Sequence, residues 1–154
     1  MTRRFLMLAA AAGSAGLLLG ALAFQFIGGL PPCPLCLWQR WPHLLAVLAG
    51  AVAFVWPARI VALLGALGAA TSAGVGLFHV GVEQKWWEGL ASCSTGSIEG
   101  ISAADLLNPS VDLGPVVRCD EIAWQMLGIS MAGWNVILSA LLAALWIAAA
   151  LKRD

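Results

Sequence analysis

The chain has no tyrosine, and it is short of charge: only 10% of its 154 residues are Asp, Glu, Lys or Arg, against about 25% in an ordinary soluble domain. That shortage excludes a water-soluble globule. Eight basic and eight acidic residues cancel to a net charge of zero, and no basic run exists; a nucleic-acid partner is excluded with it. What is plentiful is apolar surface, at 61% of residues. The composition fits a small helical bundle in lipid, one domain long.

Four apolar runs organise the chain: about Phe5 to Ile27, Trp41 to Trp56, Ile60 to Val82, and Met131 to Leu151. Crossing about 30 Å of hydrocarbon takes about 20 helical residues. The first, third and fourth runs suffice, and the second needs residues from Leu37 onward. Arg3, Arg4 and the small residues Ala21-Leu22-Ala23 have the outline of a signal peptide. The run continues through Phe24, Phe26 and Ile27, so a retained span is expected. The expected fold is all-α: an integral membrane four-helix bundle with outer loops at about 28–40 and 83–130. Within the second loop, Ile98, Ile101, Leu106 and Leu107 are spaced like one face of a short helix ended by Asn108-Pro109. That helix lies on the membrane surface, or the segment packs on itself as a loop.

Positive charge sets the orientation. Arg3, Arg4, Arg59, Lys152 and Arg153 fall on one face of an even-numbered bundle. Arg40, Lys85, Arg118 and seven of the eight acidic residues fall on the other. The first face is expected in the cytoplasm with both termini, the second in the periplasm. All four cysteines lie on the second, where disulfides persist.

Cys33-Pro34-Leu35-Cys36 carries the chemistry. Pro34 suits a first helical position. Cys33 would cap that helix and Cys36 would sit in its first turn, where free amides and the helix dipole favour a thiolate. Pro42 cannot donate to Trp38 and should kink or restart the helix, which sets the motif on a turn of its own ahead of the span. Arg40 follows Cys36 by four residues, on the same face. It is either an interfacial anchor or a donor to an anionic or carbonyl oxygen beside Cys36, such as a quinone head group offers. Cys93 and Cys119 lie 26 residues apart, too far for the second half of a four-cysteine zinc site, and no His follows Cys36 as covalent haem attachment requires. They form a structural staple or a second redox pair. Of the three pairings open to four cysteines, 33–36 with 93–119 is the simplest.

Other residues carry weaker signals. His79 and Glu83, at helical spacing, form an interfacial polar pair or carry protons; His43 reads as a headgroup-level residue. Trp38, Trp41, Trp86, Trp87, Trp124 and Trp134 cluster toward the outer face. They make an aromatic belt or wall a pocket for a flat ligand, the ones near Cys36 first. Gly16 and Gly20, and Gly65, Gly68 and Ser72, allow close helix approach.

Taken together, Cys33-Pro34-Leu35-Cys36-Leu37-Trp38-Gln39-Arg40, the Cys93 and Cys119 pair, and Cys119-Asp120-Glu121 leading to Leu127-Gly128-Ile129-Ser130-Met131-Ala132-Gly133-Trp134-Asn135 resemble the disulfide bond formation protein B (DsbB) family of bacterial inner-membrane thiol oxidoreductases. The resemblance covers nearly the whole chain. It implies that Cys33, Cys36, Cys93 and Cys119 are catalytic. A reduced DsbA-like thioredoxin-fold protein attacks Cys93, Cys119 attacks Cys33, and Cys36 is left as a thiolate beside a bound ubiquinone or menaquinone steadied by Arg40. His79 is expected to help bind the quinone, and no metal is expected. Two rivals stand beside this. A vitamin K epoxide reductase-like enzyme carries its quinone-proximal CxxC late in the chain, whereas here it is early. A non-catalytic protein could bind a soft metal through its thiols, but no further Cys or His cluster supports it.

Overall fold

In the computed structural model, which describes residues 2–90, 93 and 117–152, the apolar runs are helices: α1 (Arg3–Phe26), α2 (Pro34–Val55), α3 (Arg59–Glu83) and α4 (Met131–Leu151). A hairpin of two-residue strands, β1 (Gln125–Met126) and β2 (Ile129–Ser130), leads into α4. Its turn residues Leu127 and Gly128 both have positive φ, at 54° and 76°, the conformation that matches strand twist in a two-residue loop. The sequence reading did not anticipate this hairpin. The expected surface helix through Ile98 to Leu107 lies outside the described residues.

Helices α1, α3 and α4 are long and apolar enough to cross a membrane. Helix α2 has 22 residues but carries Gln39, Arg40 and His43 in its first half. Helix α3 packs on α2 and α4, and α1 on the same two, so α1 and α3 face each other across a ring with little contact. Leu19, Val55, Leu67 and Leu141 point outward and are more than half exposed, as a lipid-facing belt requires. At one end Arg3 donates to the carbonyls of Pro57 and Lys152. At the other end lie all four cysteines.

The inner half of the bundle is packed with alanines around Met7, Leu142 and Trp146. Small residues let helices approach closely where lipid gives no hydrophobic drive to associate. Gly65 and Gly68 serve that purpose. A Cβ on Gly65 would stand 2.5 Å from the Trp146 ring, and one on Gly68 would stand 2.6 Å from the Pro42 carbonyl oxygen. Gly16 and Gly20 do not: nothing lies within 4 Å of where their Cβ atoms would be. They thin a cavity wall instead of seating a neighbouring helix.

Pro42 does not restart α2, which is continuous from Pro34. The turn around it is supported from α3. The Ser72 hydroxyl donates to the Gln39 carbonyl at 3.1 Å, and Gly68 lets α3 lie against the Pro42 backbone. An expected separate turn is thus part of one helix, braced by α3 at the carbonyl next to that of Trp38, which Pro42 leaves without its donor.

Gly68→Ala should lower the unfolding temperature in detergent by roughly 5 °C relative to Gly74→Ala, whose Cβ meets nothing within 4 Å. Both changes gain the same helix propensity, so the difference isolates the clash with the α2 backbone, at about 1–3 kcal/mol. Equal unfolding temperatures would show that α3 does not rest on the proline turn.

Candidate active site

The CxxC opens α2 as its residues dictate. Pro34 is the first helical residue and Cys33 the N-cap, its Sγ accepting from the Cys36 amide at 3.2 Å. The Cys33 thiol donates to Cys36 Sγ at 2.8 Å. That hydrogen bond and burial push the Cys33 thiol well above the ordinary thiol range, so Cys33 keeps its proton. Cys33 is 4% exposed, whereas Cys36 is half-buried and faces a cavity.

Cys93 and Cys119 form a disulfide with Cα atoms 5.0 Å apart, and the Cys119 amide donates to the Cys93 carbonyl at 3.1 Å. Both are buried, in one apolar cluster with Cys33, Leu35 and Val82. The two cysteine pairs therefore touch. Cys33 Sγ, Cys119 Sγ and a His79 ring nitrogen all lie within 4.8 Å of one another. With Cys119 tied to Cys93, this trio offers a metal only two free donors, and its main consequence is sulfur beside sulfur. Next to Cys119, Asp120 accepts from Arg118 at 2.9 and 2.8 Å and from Lys85. Arg118, then Lys85, holds its carboxyl far below the usual carboxylate range. The contact persists at any pH above that range and is lost only in strong acid.

A polar seam runs inward from the sulfurs. His79 Nε2 lies 3.7 Å from Cys33 Sγ and 3.9 Å from Glu83 Oε1; Ser130, which caps α4, donates to Glu83. Gln39 Nε2 donates to the Leu35 carbonyl and to His79 Nδ1, each at 3.1 Å. An Nδ1 that accepts puts the proton of a neutral ring on Nε2, facing Cys33. Gln39 Oε1 accepts from Asn135 Nδ2 at 2.7 Å. Glu83 and His79 are thus neighbours of the sulfurs as well as of each other.

Beside Cys36 lies a cavity of about 430 Å³ between α1, α2 and α4, bounded by Gly16, Gly20, Phe24, Gln39, Arg40, His43, His79, Trp124, Trp134 and Asn135 among others. Phe24 and Trp124 pack with centroids 5.0 Å apart. The tryptophans expected first at such a wall are not there. Trp38 and Trp41 are 56% and 71% exposed. At about 100° per residue, Trp38 sits about 200° and Trp41 about 140° around the helix from Cys36. Arg40 does reach the cavity, held by Gln25 Oε1 at 2.6 Å and the Ala21 carbonyl at 3.4 Å. Gln25, Gln39, Ser72, Asn135 and Ser139 were not singled out as site residues from the sequence. Their signal was available, since each is a polar residue inside an apolar run.

The family model for disulfide bond formation protein DsbB matches residues 3–149. Disulfide bond formation protein B of Methylococcus capsulatus is 37% identical over 140 residues, covering 80% of this chain and 79% of that protein. Disulfide bond formation protein B 2 of Pseudomonas aeruginosa is 35% identical over 137 residues, covering 84% and 80%. The protein of that name from Dechloromonas aromatica is 29% identical over 154 residues, covering 92% and 88%. No solved structure matches.

With both thiols of the CxxC reduced, a small maleimide should modify Cys36 at least about tenfold faster than Cys33, since thiolate character and access both favour it. Timed alkylation read by peptide mass spectrometry measures this. Equal rates, or faster modification of Cys33, would remove the asymmetry on which the site is built.

Proposed function

This chain belongs to the disulfide bond formation protein B family, and on that premise we propose that it is a membrane thiol oxidase. It reoxidises the dithiol of a periplasmic DsbA-like, thioredoxin-fold protein and delivers the electrons to a membrane quinone. In this reading the protein sits in a bacterial inner membrane with both termini cytoplasmic and all four cysteines periplasmic. The observation that carries it is the contact between the two cysteine pairs, with Cys36 alone of the four also bordering a lipid-level cavity.

The relay follows from thiol exchange. A partner thiolate attacks Cys93 Sγ, the Cys93–Cys119 bond breaks, and Cys119 leaves as a thiolate. When Cys33 and Cys36 are joined, Cys119 attacks Cys33 and Cys36 leaves. The partner's second thiolate then displaces Cys93 and departs oxidised. Cys93 closes on Cys119 and frees Cys33. Two electrons now rest on Cys33 and Cys36.

Partners of this class are strong oxidants at about −120 mV, so thiol exchange alone does not drive the sequence. A quinone, when bound, accepts the electron pair with two protons and supplies that drive. The residues fit such a group. The cavity volume lies within the range of small-molecule sites, roughly 300–1,000 Å³, and its walls are mostly apolar and aromatic. Arg40 Nε is a buried donor with no partner among the described residues, and a carbonyl oxygen brought against it would satisfy it. Arg40 and His79 would orient the ring, Cys36 would face it, and Phe24 and Trp124 would exclude water.

The test mixes purified protein, a short-chain quinone and a reduced thioredoxin-fold dithiol protein, and follows quinone absorbance. Cys36→Ser should reduce turnover by at least about a thousandfold while Cys93–Cys119 still reacts with the partner. A partner whose second cysteine is replaced by alanine should attack the intact Cys93–Cys119 bond and stop as an adduct on Cys93; an adduct on Cys33 instead would overturn the order. Gly20→Leu adds a side chain at the cavity wall, where a Cβ meets nothing within 4 Å. It should raise the KM for quinone about tenfold or more and leave the unfolding temperature and the partner reaction unchanged.

A further inference from the structure

A second residue that lines the same cavity holds an unpartnered buried atom. His43 lies three residues past Arg40 on α2 and is 2% exposed. Its ring is oriented by a chain of bonds that starts at Gln39. Asn135 Nδ2 donates to Gln39 Oε1 at 2.7 Å, to Ser72 Oγ at 3.2 Å and to the Ser72 carbonyl at 3.3 Å. The Asn135 oxygen must therefore be the atom facing His43. It stands 3.1 Å from His43 Nε2, and the Ser139 hydroxyl lies 3.0 Å from the same nitrogen and donates to that oxygen at 3.2 Å. Nε2 then carries the proton of the neutral ring. Nδ1 is left as a bare lone pair, buried, with no partner among the described residues.

A buried acceptor without a donor is destabilising. In this cavity it is matched by an opposite orphan, the Nε–H of Arg40. Both residues line one cavity, and its volume admits a six-membered ring. The pair presents one donor and one acceptor across such a ring. A quinone carries only acceptors, whereas its two-electron reduced form, the quinol, carries a hydroxyl at each end.

We propose that His43 distinguishes the redox states of the ring: its Nδ1 accepts a hydrogen bond from the hydroxyl of the bound quinol, and offers the carbonyl of the quinone nothing. This deepens the quinone reading above and rests on it. His43 is then a specificity-determining residue. Its preference for the reduced ring makes the transfer of two electrons and two protons out of the Cys33 and Cys36 thiols more favourable, and it slows release of the product.

Binding of each form to the full chain tests this without turnover. In a Cys36→Ser background no electron pair can leave the thiols. A short-chain ubiquinone and its quinol are titrated separately under anaerobic conditions, read by quenching of tryptophan fluorescence from Trp124 and Trp134 at the cavity wall. His43→Phe should weaken quinol binding about fivefold or more, the worth of one hydrogen bond, and change quinone binding less than twofold. His43→Gln, which can offer an amide oxygen, should restore part of the quinol preference. Equal weakening of both forms would assign His43 a packing role and overturn the proposal, as would no change in either. If His43→Phe does not fold, His43→Leu, which is smaller than the imidazole, is read by the same criterion. Should neither form bind the His43 protein at all, the quinone reading itself fails, a result distinct from any of these.

Discussion

The Gln39 carboxamide ties together three helices, and the outer half of the bundle depends on it. Its nitrogen donates to the Leu35 carbonyl on its own helix and to His79 on α3; its oxygen accepts from Asn135 on α4. A carbonyl can only accept, so the Leu35 contact fixes which way the amide points. Everything attached to it is then determined in sequence: which nitrogen of His79 holds a proton, which end of Asn135 faces His43, and which nitrogen of His43 is left bare. Away from water an unpaired amide costs several kcal/mol. The seam is therefore formed as a whole or is a liability as a whole.

The sulfurs are managed by different means at their two positions. Cys33 and Cys36 are governed by a helix start, where the N-cap sulfur takes an amide bond and passes its own proton toward its partner. Cys119 is governed by its flank, where Arg118 and Lys85 grip Asp120 in water. The first device sets which thiol of a pair is the better leaving group. The second fixes the backbone that brings Cys119 against Cys33. Both are needed, since thiol exchange depends on the attacking and leaving sulfurs and on their mutual access. The apolar cluster around Cys33, Cys93 and Cys119 holds those sulfurs against one another.

How much of this the sequence discloses depends on the kind of constraint. Hydrophobic length places the long helices, because lipid admits few alternatives. The Cys33 cap and the Cys36 turn follow from proline's fixed φ. Gly65 and Gly68 were legible as contact residues, but Gly16 and Gly20 have the same spacing and meet no neighbour. Small residues make a surface flat; they do not say what lies on it. Trp124 and Trp134 were among the tryptophans expected at a pocket wall, but those near Cys36 were placed first, and that order fails for a different reason. Trp38 and Trp41 are near Cys36 along the chain but not around the helix, whereas Trp124 and Trp134 arrive from the hairpin before α4, which only the tertiary fold brings to the site. Gln39 and Asn135 were visible as lone polar residues in apolar runs. That they bond each other depends on a helix pairing no single segment records.

The seam also explains why the thiols and the cavity belong to one device and are not merely adjacent. It begins at Cys33, within reach of His79 Nε2, and ends at His43, which lines the cavity. Both imidazoles take their orientation from Gln39, one directly and one through Asn135. Reversing that amide would turn the proton of His79 away from the sulfur and break the contact that presents the Asn135 oxygen to His43. The two ends cannot be reset independently. A seam of buried side chains needs its donors and acceptors already aimed at both ends, because a buried polar group left unpaired is costly. Here a single side chain on α2 aims them, one turn of helix below the cysteine that borders the cavity.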